Sequence, residues 1–97
     1  MVSQLPASGN PLHMVGIVIP YRGPDDDYVV HLAGRKLAER FGSAAPIYDD
    51  ASETVLVYSV AFGLSELDMT ILVGIGMQCA ARIEGVAVVI DGDAIIM

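Results

Sequence analysis

The sequence predicts one α+β domain with the element order β-α-β-β-α-β, the ferredoxin-like arrangement of an antiparallel sheet with both helices on one face. Three observations predict it. The 97 residues suffice for one core, two segments have helical apolar patterns, and β-branched runs alternate with turn residues. A short C-terminal strand is an optional addition. A small parallel α/β sheet is the alternative, because the second strand is short and poorly defined.

The first strand is predicted over residues 14–19, a β-branched run that ends at Pro20. The first helix is predicted over residues 26–41. Apolar residues recur there at helical spacing, namely Val29, Val30, Ala33, Leu37 and Phe41. Acidic residues favour its amino end, and Gly42 is placed for a left-handed cap. These local signals agree with one another.

The two middle strands are predicted over residues 45–48 and 54–60, joined by a turn that begins at Asp49. A last strand is predicted over residues 86–90. The Asp91-Gly92 pair that follows is a strong signal for a two-residue hairpin. Residues 94–97 would then return as the optional final strand.

The second helix is predicted to open at a capping box formed by Ser65 and Asp68 and to continue to residue 83, with Gly85 as its cap. Between residues 69 and 81 it is apolar nearly all round, so it is not an ordinary surface helix. Gly74 and Gly76 each cost about 1 kcal/mol in a helix interior relative to Ala. Either another backbone approaches closely there or the glycines mark a break in the helix, and we assign both glycines to an interaction surface.

Residues 1–12 contain prolines, Gly9 and scattered serines without an apolar period, and they predict a flexible leader before a domain over residues 13–97. This leader lacks the basic and apolar regions of a signal peptide. No apolar stretch reaches the ~20 residues that a membrane span needs. The expected location is therefore cytoplasmic, with no membrane partner.

The chain has 12 acidic and 5 basic residues, a formal charge of −7, and a hydrophobic fraction of 54%. Direct binding to nucleic acid is disfavoured because it requires clustered Lys and Arg. This hydrophobic fraction is more than the interior of one small domain can bury. We expect a homo-oligomer, and another protein is a further possible partner.

No residue pattern predicts a catalytic centre, a cofactor or a metal site. The single cysteine, Cys79, lies in an apolar run and is expected in the core. The acidic run 25–27 is expected to cap the first helix rather than bind a cation. His13 and His31 are the only histidines, from which a general base would most often be drawn, and His31 is expected exposed on a polar helix face.

The remaining candidate is the turn after the first strand, where Tyr21, Arg22 and Tyr28 cluster. Tyrosine and arginine are enriched in protein interfaces. We therefore expect this turn to contact a partner, the alternative being a polar loop whose tyrosines seal the edge of the core.

These features favour a small non-enzymatic protein-interaction or regulatory module that acts as a homo-oligomer. One alternative is an acidic inhibitor, of an accessory or phage type, that occupies a basic nucleic-acid-binding surface of another protein. A second alternative is a small dimeric enzyme or ligand-binding domain, with its pocket between the sheet and a partner.

Overall fold

A computed structural model describes residues 11–96 of the chain. The predicted leader lies outside the described residues except for its last two positions. The elements in chain order are β1 (Leu12–Pro20), a 3₁₀ turn (Pro24–Asp26), α1 (Asp27–Phe41), β2 (Ala45–Asp49), β3 (Thr54–Phe62), α2 (Glu66–Ala80), β4 (Ala87–Ile90) and β5 (Asp93–Ile96).

The fold is α+β, with two helices and one five-stranded sheet of order β2-β3-β1-β4-β5. All four strand pairings are antiparallel, so the alternative of a parallel α/β sheet is wrong. The fifth strand pairs with β4 at the edge of the sheet. This strand corresponds to the optional C-terminal strand predicted over residues 94–97, and it extends the sheet beyond the simple four-stranded arrangement.

One face of the sheet forms the core. Because side chains alternate along a strand, the fully buried residues of β1 and β3 share this face, and Ile17 pairs with both Val57 and Val88 across three strands. Both helices contribute to the same apolar cluster, through residues such as Leu37 and Leu72. The helices also contact each other, so they lie side by side on this face.

The start of α1 differs from the prediction. Asp26 is the N-cap residue, but its side chain makes no cap hydrogen bond. Its carboxylate instead accepts from the backbone N–H of Arg22 at 2.9 Å. The cap expected from the acidic run is therefore not made by the Asp26 side chain, whereas Asp27 lies in the first turn of α1, where its negative charge favours the helix dipole as expected. The end of α1 follows the prediction, since Gly42 adopts a left-handed conformation with φ 100° and its N–H donates to Ala38.

The capping box of α2 is confirmed. The Ser65 hydroxyl accepts from the backbone N–H of Asp68, and the Asp68 carboxylate accepts from the backbone N–H of Ser65. The helix ends at Ala80, with Ala81 as its C-cap, three residues before the predicted end. Gly85 therefore does not cap α2; its φ of 95° serves the turn that leads into β4.

The Asp91-Gly92 hairpin is also confirmed. Ile90 pairs with Asp93 across it, and both turn residues have positive φ, 52° and 91°. This is the type of two-residue turn that matches the twist of paired strands. No helix among the described residues is long and apolar enough to cross a membrane.

Candidate functional site

Tyr21 is the best-anchored residue of the predicted interaction turn. Its backbone N–H donates to the Glu53 carbonyl at 2.8 Å, and its hydroxyl donates to Asp27 Oδ1 at 2.6 Å. The hydrogen bond to this carboxylate, together with partial desolvation, raises the pKa of Tyr21 to about 12. The turn is therefore held to both α1 and the β2–β3 connection.

Tyr48 joins this turn, although the sequence does not place it there. Its ring meets the ring of Tyr21 edge to face, with centroids 5.2 Å apart and planes at 72°. Such aromatic pairs stabilise by about 0.5–1.5 kcal/mol beyond the area that they bury. The residue comes from β2 and reaches the turn only through the strand register that sets Asp49 opposite Thr54.

Arg22 and Tyr28 complete the predicted cluster. Arg22 is exposed. Tyr28 lies in the first turn of α1, is more than half exposed, and places its hydroxyl 3.5 Å from the Arg82 carbonyl oxygen. The three predicted residues of the turn therefore lie at the same end of the molecule. Gly74 and Gly76 lie on α2, so the structure separates the predicted interaction residues into two groups.

This end of the molecule is strongly acidic. It comprises the β1–α1 loop, the β2–β3 turn and the α2–β4 loop. Seven of the 12 acidic residues lie there, and we call this region the acidic end: Asp25, Asp26, Asp27, Asp49, Asp50, Glu53 and Glu84. The basic residues of these loops are Arg22 and Arg82. The acidic end therefore has the larger part of the negative charge of the chain.

Gly74 lies on the outer side of α2. A Cβ built there has no heavy atom within 4 Å outside the immediate helix backbone. The close approach predicted for Gly74 is therefore not made by the described part of this chain. Gly76 is buried on the other side of the helix. A groove of about 500 Å³ runs between the helices beside Gly74, with Lys36 and Arg40 of α1 on its opposite wall.

The second face of the sheet is apolar and uncovered by the described residues. We call it the open face. It is formed by the residues that alternate with the core positions along β1, β3, β2 and β4, namely Leu12, Met14, Gly16, Val18, Pro20, Thr54, Leu56, Tyr58, Val60, Phe62, Ala45, Ile47, Ala87 and Val89. Val60 is 45% exposed and Ile47 53%. None of these side chains is charged, although Asp49 lies at one corner.

The two histidines lie on different elements, His13 on β1 and His31 on α1. His13 Nδ1 lies 2.6 Å from Asp91 Oδ2, and Asp91 Oδ1 accepts from the backbone N–H of Met14 at 3.0 Å. These hydrogen bonds lower the pKa of Asp91. The pair thus ties the β4–β5 hairpin to β1. His31 is exposed on α1, beside a groove that leads to β2, which agrees with its predicted place on a polar face.

Cys79 is completely buried in the core, which confirms the prediction. Burial raises the pKa of its thiol, and a buried thiol with a raised pKa is unreactive. Among residues 11–96, no group of three or more histidine, cysteine or acidic side chains is arranged to hold a metal ion.

No protein-family profile, curated protein or solved structure matches the chain.

Proposed function

We propose that this chain is a small, non-enzymatic protein-interaction or regulatory module that acts as a homo-oligomer. The observation that supports it most is the open face, an apolar and uncharged sheet surface on a chain with a net charge of −7. Monomeric proteins rarely expose apolar patches of more than a few hundred Å². A second copy, applied through its own open face, covers this surface without placing a charge in the contact.

The area of the open face fits such a dimer. The four strands of the open face, spaced about 4.8 Å apart and each rising about 3.4 Å per residue, span a projected area on the order of 400 Å². The accessible area of a surface covered with side chains exceeds its projection. The smallest specific interfaces bury about 600 Å² on each partner. The open face is therefore large enough for a stable pair of subunits.

The polar groups of the chain support a non-catalytic role. The perturbed carboxylates hold structural hydrogen bonds: Asp68 forms the cap of α2 and accepts from Arg40 Nε at 2.9 Å, and Asp91 holds the last hairpin. A small dimeric enzyme or ligand-binding domain would need a pocket that these groups face. Asp68 does line a cavity of about 280 Å³ with Arg40 and Phe62, but its carboxylate there is already occupied by the cap of α2 and by Arg40.

The proposal includes the ferredoxin-like topology, extended by β5. Two features support it. The parallel strands β1 and β2 have β3 between them, and the parallel strands β3 and β4 have β1 between them. These are two split βαβ units, each joined by one helix, as that arrangement requires. The fifth strand is the departure from the simple form.

The test of the dimer is a pair of matched lysine variants. Val60→Lys combined with Ile47→Lys places two charges on the open face, whereas Ile95→Lys places one on the helix-side face of the edge strand β5, where Ile95 is also partly exposed. We expect sedimentation at micromolar concentration to show a dimer or larger for the wild type and for Ile95→Lys. The open-face variant should sediment as a folded species of lower mass.

Circular dichroism would show that the open-face variant keeps its secondary structure. A wild-type chain that sediments as a monomer at all accessible concentrations would overturn the proposal. Sedimentation of a chain that starts at Pro11 tests whether the first ten residues, rather than a second copy, cover the open face. If the first ten residues covered the open face, their removal would create association that the full chain lacks.

A second candidate function, an acidic inhibitor of a nucleic-acid-binding protein, is favoured by the acidic end. Asp27 and Asp49 are the sequence neighbours of the exposed tyrosines Tyr28 and Tyr48, and tyrosines next to negative charge suit a basic protein surface. The salt dependence of association distinguishes the inhibitor from the homo-oligomeric module. Binding to a basic partner weakens steeply as salt rises, whereas association of two subunits of charge −7 strengthens because salt screens their repulsion.

A further inference from the structure

We propose that the groove between α1 and the edge strand β2 binds a small carboxylate with an apolar body, such as a medium-chain fatty acid. We call it the α1–β2 groove, and its lining includes Val30, His31, Gly34, Arg35, Pro46 and Val57. It lies on the helix side of the sheet, away from the open face. The site therefore does not depend on the proposed function, and a chain that failed to dimerise would still bind the carboxylate.

The floor of the α1–β2 groove is apolar and belongs to the core. Val30 of α1 and Val57 of β3 are both buried members of the apolar cluster. Pro46 lines the side formed by β2. The groove has a volume of about 430 Å³, which is within the usual size of small-molecule sites, and such sites are mostly apolar with a few polar groups that orient the ligand. An aliphatic or aromatic body therefore fits this floor.

Gly34 gives the groove its depth above Val57. It lies in the interior of α1, where a glycine lowers helix stability relative to Ala. Close packing does not account for it, because an added Cβ would have Val57 Cγ1 as its nearest neighbour, at the ordinary contact distance of 3.8 Å. A larger side chain at this position would instead occupy the groove. A ligand that uses this space accounts for a residue that weakens the helix.

Two hydrogen-bond donors border the apolar floor. His31 and Arg35 lie four residues apart on α1, so their side chains are neighbours on one flank of the helix, and both line the groove. Both are exposed. Among residues 11–96, neither side chain takes part in an ion pair. The N–H groups of an imidazole and of a guanidinium suit a carboxylate, which accepts from both.

The charges around the groove select an anion. The chain has a net charge of −7, yet none of the described residues that line the α1–β2 groove is acidic. Asp27 lies one turn before His31, but its carboxylate accepts from the Tyr21 hydroxyl. Glu39 lies one turn after Arg35, but it lines the other groove, between α1 and α2. The complement of the α1–β2 groove is therefore an apolar molecule with one carboxylate.

The decisive experiment is a calorimetric titration of the full chain with octanoate. Octanol has the same alkyl chain without the charge and should bind about fivefold or more weakly, because it lacks the carboxylate that Arg35 pairs with. Arg35→Gln should weaken octanoate binding by about the same factor. Lys36→Gln is the matched control, since it removes the same charge from the next residue of α1, which lines the other groove. It should change octanoate binding by less than about twofold.

Three further variants locate the ligand. Gly34→Leu fills the α1–β2 groove and should abolish octanoate binding, whereas Gly74→Leu makes the same change beside the other groove and should leave binding intact. Val60→Lys on the open face should also leave it intact, and circular dichroism checks that each variant is folded. The proposal is overturned if the wild type does not bind octanoate at millimolar concentration, or if Arg35→Gln and Lys36→Gln bind it equally. It is also overturned if Val60→Lys abolishes binding, because octanoate would then lie on the open face.

Discussion

Gly16 of β1 lies directly opposite Tyr58 of β3, and its position on the open face has no room for a side chain. A Cβ built at Gly16 would lie 2.7 Å from the Val57 carbonyl oxygen and 2.9 Å from Leu56 Cδ1. The leucine could move, but the backbone oxygen belongs to a central strand. The glycine therefore allows the two longest strands to pair closely at the centre of the sheet.

Gly16→Ala should lower the free energy of unfolding by about 1–3 kcal/mol, the usual cost of overpacking. Gly34→Ala is the matched control. Its added Cβ would have Val57 Cγ1 at 3.8 Å as its nearest neighbour, and the loss of a helix-interior glycine should stabilise the chain by about 0.5–1 kcal/mol. Urea denaturation of both variants gives the two changes. Equal effects of the same sign would contradict the close strand pairing at Gly16.

The Ser65 cap is expected to contribute about 1 kcal/mol to stability. In Ser65→Ala the backbone N–H of Asp68 loses its acceptor, which the structure places at 3.1 Å. Thr70→Ala removes a hydroxyl from an exposed position further along the same helix and should change stability by less than about 0.5 kcal/mol. Thermal unfolding of the two variants measures the difference. If both lost the same stability, the cap would have no special role.

Local chemistry explains which elements the sequence predicts well. The capping box of Ser65, the left-handed Gly42 and the Asp91-Gly92 hairpin depend on residues close together in the chain. Their geometry follows from the backbone preferences of those residues. The same signals misplace the end of α2, because Gly85 has a positive φ for a different turn.

Contacts between distant strands are the part that the sequence does not reveal. Tyr48 meets Tyr21 only because β2 pairs with β3 in a particular register, and a shift of one residue would turn its side chain to the other face. The grouping of seven carboxylates at one end depends likewise on which loops share an end of the sheet. The apolar character of β3 on both sides, in contrast, already indicates from the sequence that the sheet face away from the helices needs a cover, most simply a second copy of the chain.

The carboxylate of Asp91 should make the stability of the last hairpin depend on pH. Hydrogen bonds from His13 and from the Met14 backbone lower its pKa in the folded chain. Its contribution is therefore present above the unfolded pKa of about 3.9 and is lost as the pH falls through the lower folded value. Asp91→Asn keeps an acceptor for Met14 and tolerates the positive φ of this turn, but it removes the charge.

The difference in unfolding free energy between the wild type and Asp91→Asn should be larger at pH 7 than at pH 3. Asp93→Asn, at the other side of the same turn, provides the comparison for a general charge effect. Denaturant unfolding at the two pH values measures both differences. A difference for Asp91→Asn that did not change with pH would show that its charge does not hold the hairpin.

The hydroxyl of Tyr21 should ionise at a higher pH than an ordinary tyrosine. Its hydroxyl donates to Asp27 and its pKa is raised to about 12, so its neutral form is favoured in the folded chain. The corresponding stability is present below the unfolded pKa of about 10 and is lost as the pH rises through the folded value.

Asp27→Asn removes the negative charge that opposes tyrosinate formation, and the midpoint for Tyr21 should move down towards 10. The measurement is the tyrosinate absorbance during alkaline titration, with Tyr21→Phe subtracted to isolate one ring. A midpoint that stayed near 12 in Asp27→Asn would show that the Asp27 carboxylate does not hold the Tyr21 hydroxyl. The hydrogen bond from Tyr21 to Asp27 would then not anchor the turn to α1.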